Sequence, residues 1–165
     1  MNKTQRLTTI ASLLALSILF GWIETILPSF LPNPAFKIGL SQIPILLALY
    51  LYDLKVSAFV SILKVILTSL LFGSFMTFLF LVNLTGALVS ILFLAIAKKA
   101  GVTILLTSIS SSLGHNIGQF IVIAYVLGPS VAGFYIPFIL LFSLLFGTLT
   151  AGIAALILEK RKERQ

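Results

Sequence analysis

Long apolar runs, broken at proline, glycine and charge, set the pattern of this chain. The breaks predict helices over about 8–27, 38–52, 55–73, 76–97, 103–127 and 134–158. Runs of this kind suit membrane spans, because roughly 20 apolar residues are needed to cross the hydrocarbon of a bilayer. The second run, about 15 residues, is short for that task. Before it lies PSFLPNPAF (28–36), whose three prolines deny it helical continuity and predict a structured loop dipping towards the membrane.

Polar residues interrupt these runs at helical spacing. Ser57, Ser61, Lys64 and Thr68 follow i, i+4, i+7, i+11 and so share one narrow stripe. Lys64 lies about ten residues into its helix, roughly 15 Å from the end, which is near mid-membrane. A charge there costs on the order of 2.5 to 3.5 kcal/mol on insertion scales, so it demands a partner, water or a ligand. Similar stripes recur: Ser17, Gly21 and Glu24 on the first helix; Lys37 and Ser41, with Gln42 slightly deeper, on the second; Asn83, Ala87 and Ser90 on the fourth; Ser108, Ser112, His115 and Gln119 on the fifth. Their amide and charged members converge on one side of mid-membrane. The expectation is a polar cavity on that side, lined by Glu24, Lys37, Gln42, Lys64, Asn83, His115 and Gln119, with Trp22, Phe72, Phe75 and Phe120 available to cover an apolar ligand body.

Composition agrees with burial in lipid. Of 165 residues, 59% are hydrophobic and 9% charged, and mean hydropathy is +1.18, against about 25% charged residues in a soluble domain. An all-α integral membrane protein with six transmembrane helices follows, forming one domain over residues 1–165 and leaving no room for a soluble catalytic domain. Lys3 and Arg6 precede the first run as in a signal peptide, but no clear small-residue cleavage site follows, so this run is read as a retained span. Lys3, Arg6, Lys55, Lys98, Lys99 and the tail EKRKERQ all fall on one side of a six-span arrangement, which makes that side cytoplasmic and the cavity outward-facing. Topology thus explains the net charge of +7, and nucleic acid is not an expected partner. Lys37, at the outer start of the second helix, is the exception that invites a functional role.

Several chemistries lack their residues. There is no cysteine, one aspartate (Asp53), and no glutamate besides Glu24 outside the tail. No carboxylate pair, metal-ligand cluster, nucleotide-binding Gly-Lys-Ser/Thr loop or Ser/His/Asp set can be assembled at a plausible depth, so neither catalysis nor a cofactor is expected. Within the cavity, Lys37 and Lys64 oppose Glu24, and His115 donates when neutral and adds charge when protonated. That balance favours a small anionic ligand, with lysine acting as a point charge.

Each of these residues also has a purely structural reading. Lys64 paired with Glu24 locks two helices; His115, Asn116 and Gln119 supply interhelical hydrogen bonds; Glu24 and Lys37 sit near the interface. Asn116 points about 100° away from His115 and is the more structural of the two. Small residues add a further signal. Ala11 and Ala15 form AxxxA, Gly114 and Gly118 form GxxxG, and Gly147, Ala151 and Ala155 repeat every four residues, all permitting close helix approach.

The segments FKIGLSQIPILLALYLYD (36–53), LKVILTSLLFGSF (63–75), LTGALVSIL (84–92) and GHNIGQFIV (114–122) resemble the Gx transporter family, also labelled heptaprenyl diphosphate synthase component I, and the likeness extends over essentially the whole chain. Its members look like the S components of energy-coupling factor (ECF) transporters. The resemblance implies a six-helix bundle in the bacterial cytoplasmic membrane with both termini inside. It implies capture of substrate from outside, and association with a transmembrane T component and two ATPase subunits. It also implies that Ala11 and Ala15 match the AxxxA docking motif for the T component. The synthase label fits less well, since prenyl diphosphate synthases hold Mg-diphosphate on aspartate-rich motifs that one aspartate cannot supply. It leaves a link to isoprenoid metabolism, with an isoprenoid precursor as the ligand, although many anionic vitamins would suit the cavity equally, or a noncatalytic membrane subunit of a polyprenyl diphosphate synthase. An autonomous channel or carrier finds no broken-helix pair or repeat to support it.

Overall fold

A computed structural model describes residues 2–26, 39–128, 133 and 136–163. Six α-helices run through these residues: α1 Lys3–Ile26, α2 Ile43–Leu51, α3 Leu54–Leu71, α4 Phe78–Lys99, α5 Ile104–Leu127 and α6 Ile136–Lys162. A single 3-10 turn, Leu40–Gln42, precedes α2. The proline-rich segment 28–36 and Lys37 lie outside the described residues.

The first and last helices extend beyond the apolar runs that predict them. The first helix begins at Lys3 and the last ends at Lys162, because Lys, Gln and Arg are good helix formers and the ladder does not stop where lipid gives way to water. Hydropathy marks the membrane; it does not mark the end of a helix. The second helix differs in the opposite sense. Gly39 takes a left-handed φ of 84°, the chain tightens into the 3-10 turn, and Pro44 sits in the first turn of α2, where its missing N–H costs nothing. Nine residues give α2 a length of roughly 13 Å, less than half of a hydrocarbon core of about 30 Å.

This short helix is the centre of the bundle. Ile43 to Leu49 are all buried, as expected of a helix that is apolar on every side. They pack with Leu13, Val60, Leu94 and Ala154 from four surrounding helices. Polar groups fix the end of α2: the Lys98 ammonium donates to the Leu49 carbonyl at 3.1 Å, and the Tyr50 hydroxyl to Thr107 Oγ1 at 3.1 Å. On its flank, Ser57 donates to the Ile45 carbonyl at 2.8 Å. Arg6 lies 3.9 Å from the Asp53 carboxylate and over the Tyr52 ring, which brings the start of α1 and the α2–α3 turn to the same end of the bundle.

The distribution of polarity is that of a protein solvated by lipid. Ser17, Ser57, Ser61, Ser90, Thr107, Ser108, Ser143 and Thr150 are buried, whereas Leu81, Leu88, Leu92 and Ile96 on α4 and Leu141, Leu144 and Leu145 on α6 face outwards. Small hydroxyl residues let helices approach and bond across the interface, and lipid accepts the leucines. Helices α1, α3, α4 and α6 are long and apolar enough to cross a membrane, and α5, with 24 residues, is long enough while carrying the polar stripe. The chain is a multi-pass membrane protein.

Candidate functional site

At the end of the bundle away from Lys98, Lys99 and the basic end of α6, the short α2 leaves a space that its neighbours enclose. The resulting cavity has a volume of about 280 Å³, near the lower limit of roughly 300 Å³ for small-molecule pockets.

Glu24 enters from the last turn of α1, on the buried stripe it shares with Leu13, Ser17 and Gly21. Gly39, Ser41 and Gln42 reach the cavity from the turn before α2. Lys64 and Thr68 face it from α3, Phe72 from the residue that caps that helix, and Asn83 from α4. Ser112, His115 and Asn116 complete the polar wall from α5, and Phe142 and Phe146 close it from α6.

A hydrogen-bonded chain runs across the floor. Lys64 Nζ donates to Ser41 Oγ at 2.6 Å, and Ser41 Oγ donates to Glu24 Oε2 at 3.1 Å. An ammonium only donates, so Ser41 must accept from Lys64, and its one proton is left for the carboxylate. The Ser17 hydroxyl holds the Ser41 carbonyl at 3.3 Å, fixing the turn that carries the relay. Thr68 bonds back to the Lys64 carbonyl, so its hydroxyl is satisfied within the helix. Glu24 is only 7% exposed, and its second oxygen, Oε1, has no hydrogen-bond partner among the described residues; Gln42, at 9%, likewise leaves Oε1 unmatched among them.

The α5 wall depends on close approach to α4. A Cβ at Gly86 would stand 2.9 Å from His115 Cε1 and 3.0 Å from Gln119 Cγ, and one at Gly118 would meet the Thr85 carbonyl oxygen at 2.5 Å. The GxxxG pair of α5 therefore packs against α4, with Gly114 on the Phe93 ring and Gly118 on the backbone at Gly86. Ser90 and Ser111 bond at 2.8 Å along the same seam. Asn116 donates to Ser143 on α6 at 2.8 Å, which is the interhelical tie expected of it, although it also touches the cavity.

The structure brings Glu24, Gln42, Lys64, Asn83 and His115 together on one cavity. It does not place Gln119 there: this residue, 3% exposed, is buried on the Gly86 side of α5, one turn beyond His115. Lys37 falls outside the described residues. Of the four aromatic residues expected to cover a ligand, only Phe72 lines the wall; Trp22 is 47% exposed on α1, Phe75 packs on Phe80, and Phe120 is absent from the lining. The aromatic cover comes instead from Phe142 and Phe146, stacked at a centroid spacing of 5.5 Å, with Phe142 also stacked on Phe138 at 6.4 Å. Their four-residue spacing was the signal available in the sequence. Gly86 carried no signal, since only its proximity to His115 gives it a role. Ala11 and Ala15 are exposed on α1, on the face away from Leu13 and Ser17.

No curated protein matches the sequence. Among solved structures, the fold is similar to one described as the structure and mechanism of the S component of a bacterial ECF transporter, with a TM-score of 0.70 and 22% identity over 98% of both chains. The family model for heptaprenyl diphosphate synthase component I matches residues 13–157. The chain belongs to that family.

Proposed function

We propose that this protein is the substrate-binding S component of an ECF-type importer and captures a small anionic, partly apolar compound from outside the cell membrane. One observation carries this reading: in a fold similar to that of an S component, a cavity in a bundle built for lipid holds a lysine linked to its surroundings by a neutral hydroxyl. Lys64 and the N-terminal end of α2 attract an anionic head, and Asn83 and His115 bond to it. Phe72, Phe142 and Phe146 cover an apolar body. Glu24 orients Lys64 through Ser41. Lys37, at the outer start of the second apolar run, belongs to this reading as a further contact, and Gln119, packed at Gly86, supports the α5 wall beside His115. An isoprenoid precursor combines the required head and body.

In this reading both termini are cytoplasmic, and Ala11 and Ala15 meet a T component that works with two ATPase subunits. The family's description favours a second reading, a noncatalytic membrane subunit associated with a polyprenyl diphosphate synthase. Purification from native membranes separates the two: the first expects T and ATPase subunits in the complex, the second a soluble, aspartate-rich enzyme. Substrate capture is tested by reconstituting the protein and measuring binding of isopentenyl phosphate and related anions. Affinity unchanged in both Lys64→Ala and His115→Ala would sink the site assignment.

A further inference from the structure

Five glycines are buried within the described helices, and at four of them packing demands the glycine. An added Cβ would stand 2.9 Å from His115 Cε1 at Gly86, 2.8 Å from the Phe93 ring at Gly114, 2.5 Å from the Thr85 carbonyl oxygen at Gly118 and 2.7 Å from Ile109 Cα at Gly147. Each of these lets two helices touch. Gly21 is the exception. It is buried in α1 and lines the cavity, yet the described atoms nearest to an added Cβ are Lys64 Cε and Thr68 Cγ2 at 3.8 Å and Ser41 Cβ at 3.9 Å, all at ordinary contact distance. No helix contact among the described residues requires a glycine there, and alanine is the better helix former. The missing side chain leaves room for about one methyl group, walled by three residues that themselves line the cavity.

We propose that Gly21 is a specificity-determining residue: its missing side chain admits a branch of about methyl size next to the ligand's anionic group, and so selects small acids branched at the carbon beside that group. This rests on the reading of the cavity as an anion site at Lys64, and it narrows that reading. Lys64 Cε, one of the walls of the room, carries the ammonium, so whatever fills the room lies close to the group that the ammonium holds. An unbranched acid leaves the room empty and forfeits its contacts, whereas a branch buries one more methyl group. Alanine at position 21 puts the same methyl group on the protein instead. The preference between the two acids should then reverse.

The test uses the full-length protein in lipid nanodiscs, with 4-methylpentanoate and both enantiomers of 2,4-dimethylpentanoate as probes and calorimetry as the readout. In the wild type the better-bound enantiomer is expected to bind about fourfold more tightly than the unbranched acid, the worth of one buried methyl group. In Gly21→Ala the order is expected to reverse, with the unbranched acid bound at least about tenfold more tightly. Thermal unfolding of the same samples checks that the room is empty of protein. The melting temperature of Gly21→Ala is expected to equal or exceed that of wild type; a fall of more than about 4 °C would mean that protein atoms fill the room, and would overturn the inference without any ligand. A wild type that binds the unbranched acid as tightly as the branched one, or a preference unchanged in Gly21→Ala, with binding of both acids lost in Lys64→Met, would overturn the inference while leaving the anion site standing. Binding undiminished in Lys64→Met, with the Gly21→Ala reversal intact, would overturn the anion site while leaving Gly21 to set the shape of the pocket. No binding of any probe at millimolar concentration counts against both.

Discussion

Lys64 reaches Glu24 through Ser41: the ammonium lies 2.6 Å from the serine oxygen, and that oxygen lies 3.1 Å from the carboxylate. A serine hydroxyl thus joins two charges across the floor of a membrane cavity. A fixed, neutral link orients both charges, taking one hydrogen bond from the ammonium and one at a single carboxylate oxygen.

Removing that link should expose its contribution. Ser41→Ala leaves the buried carboxylate short of a donor, and is expected to lower stability by about 1 to 3 kcal/mol. Thermal unfolding in detergent measures this, with Ser41→Cys, which keeps a weak donor, falling between wild type and alanine.

Glycines on two faces of the bundle should respond in opposite directions. Gly118→Ala would drive a Cβ to 2.5 Å from the Thr85 carbonyl oxygen, on backbone that cannot yield cheaply, and is expected to cost about 1 to 3 kcal/mol. A Cβ added at Gly152, on the exposed side of α6, would meet no atom within 4 Å. Gly152→Ala is therefore expected to be neutral or to stabilise by about 0.5 to 1 kcal/mol through helix propensity. Unfolding curves of the two variants, compared side by side, check the α4–α5 seam directly.

The Asn116–Ser143 bond is a tie between α5 and α6. A double-mutant cycle of Asn116→Ala and Ser143→Ala is expected to give a coupling energy of about 0.6 to 1.7 kcal/mol, the range of interhelical bonds in membranes. Zero coupling would assign Asn116 to the cavity alone.

Exposure of Ala11 on α1 permits a clean test of docking. Ala11→Trp is expected to leave the melting temperature and ligand affinity unchanged, while abolishing copurification with T and ATPase subunits. Retention of the complex would remove this face from the interface.

Much of this site was legible in the sequence because membrane helices invert the usual signal. Lys64, Glu24 and His115 stand out in hydrocarbon, and helical spacing alone puts Ser57, Ser61, Lys64 and Thr68 on one stripe, which the structure turns towards the interior. The relay was not legible. Spacing within one helix says nothing about which hydroxyl from another will stand between two charges, so Ser41 read as a neighbour of Lys37 rather than as the bridge. Gln119 shared a stripe with His115, yet the missing Cβ of Gly86 draws it against α4. The short α2 follows from Gly39 and Pro44, whose local geometry shortens an apolar run that hydropathy alone extends back to about residue 38.

The most direct test of a small-anion site centred on Lys64 is native mass spectrometry of the protein released gently from its own membranes, wild type beside Lys64→Ala. A bound small acid in the wild type, lost from a folded Lys64→Ala, is the expected result. A wild type with no such adduct, or an adduct equally retained by Lys64→Ala, would contradict it.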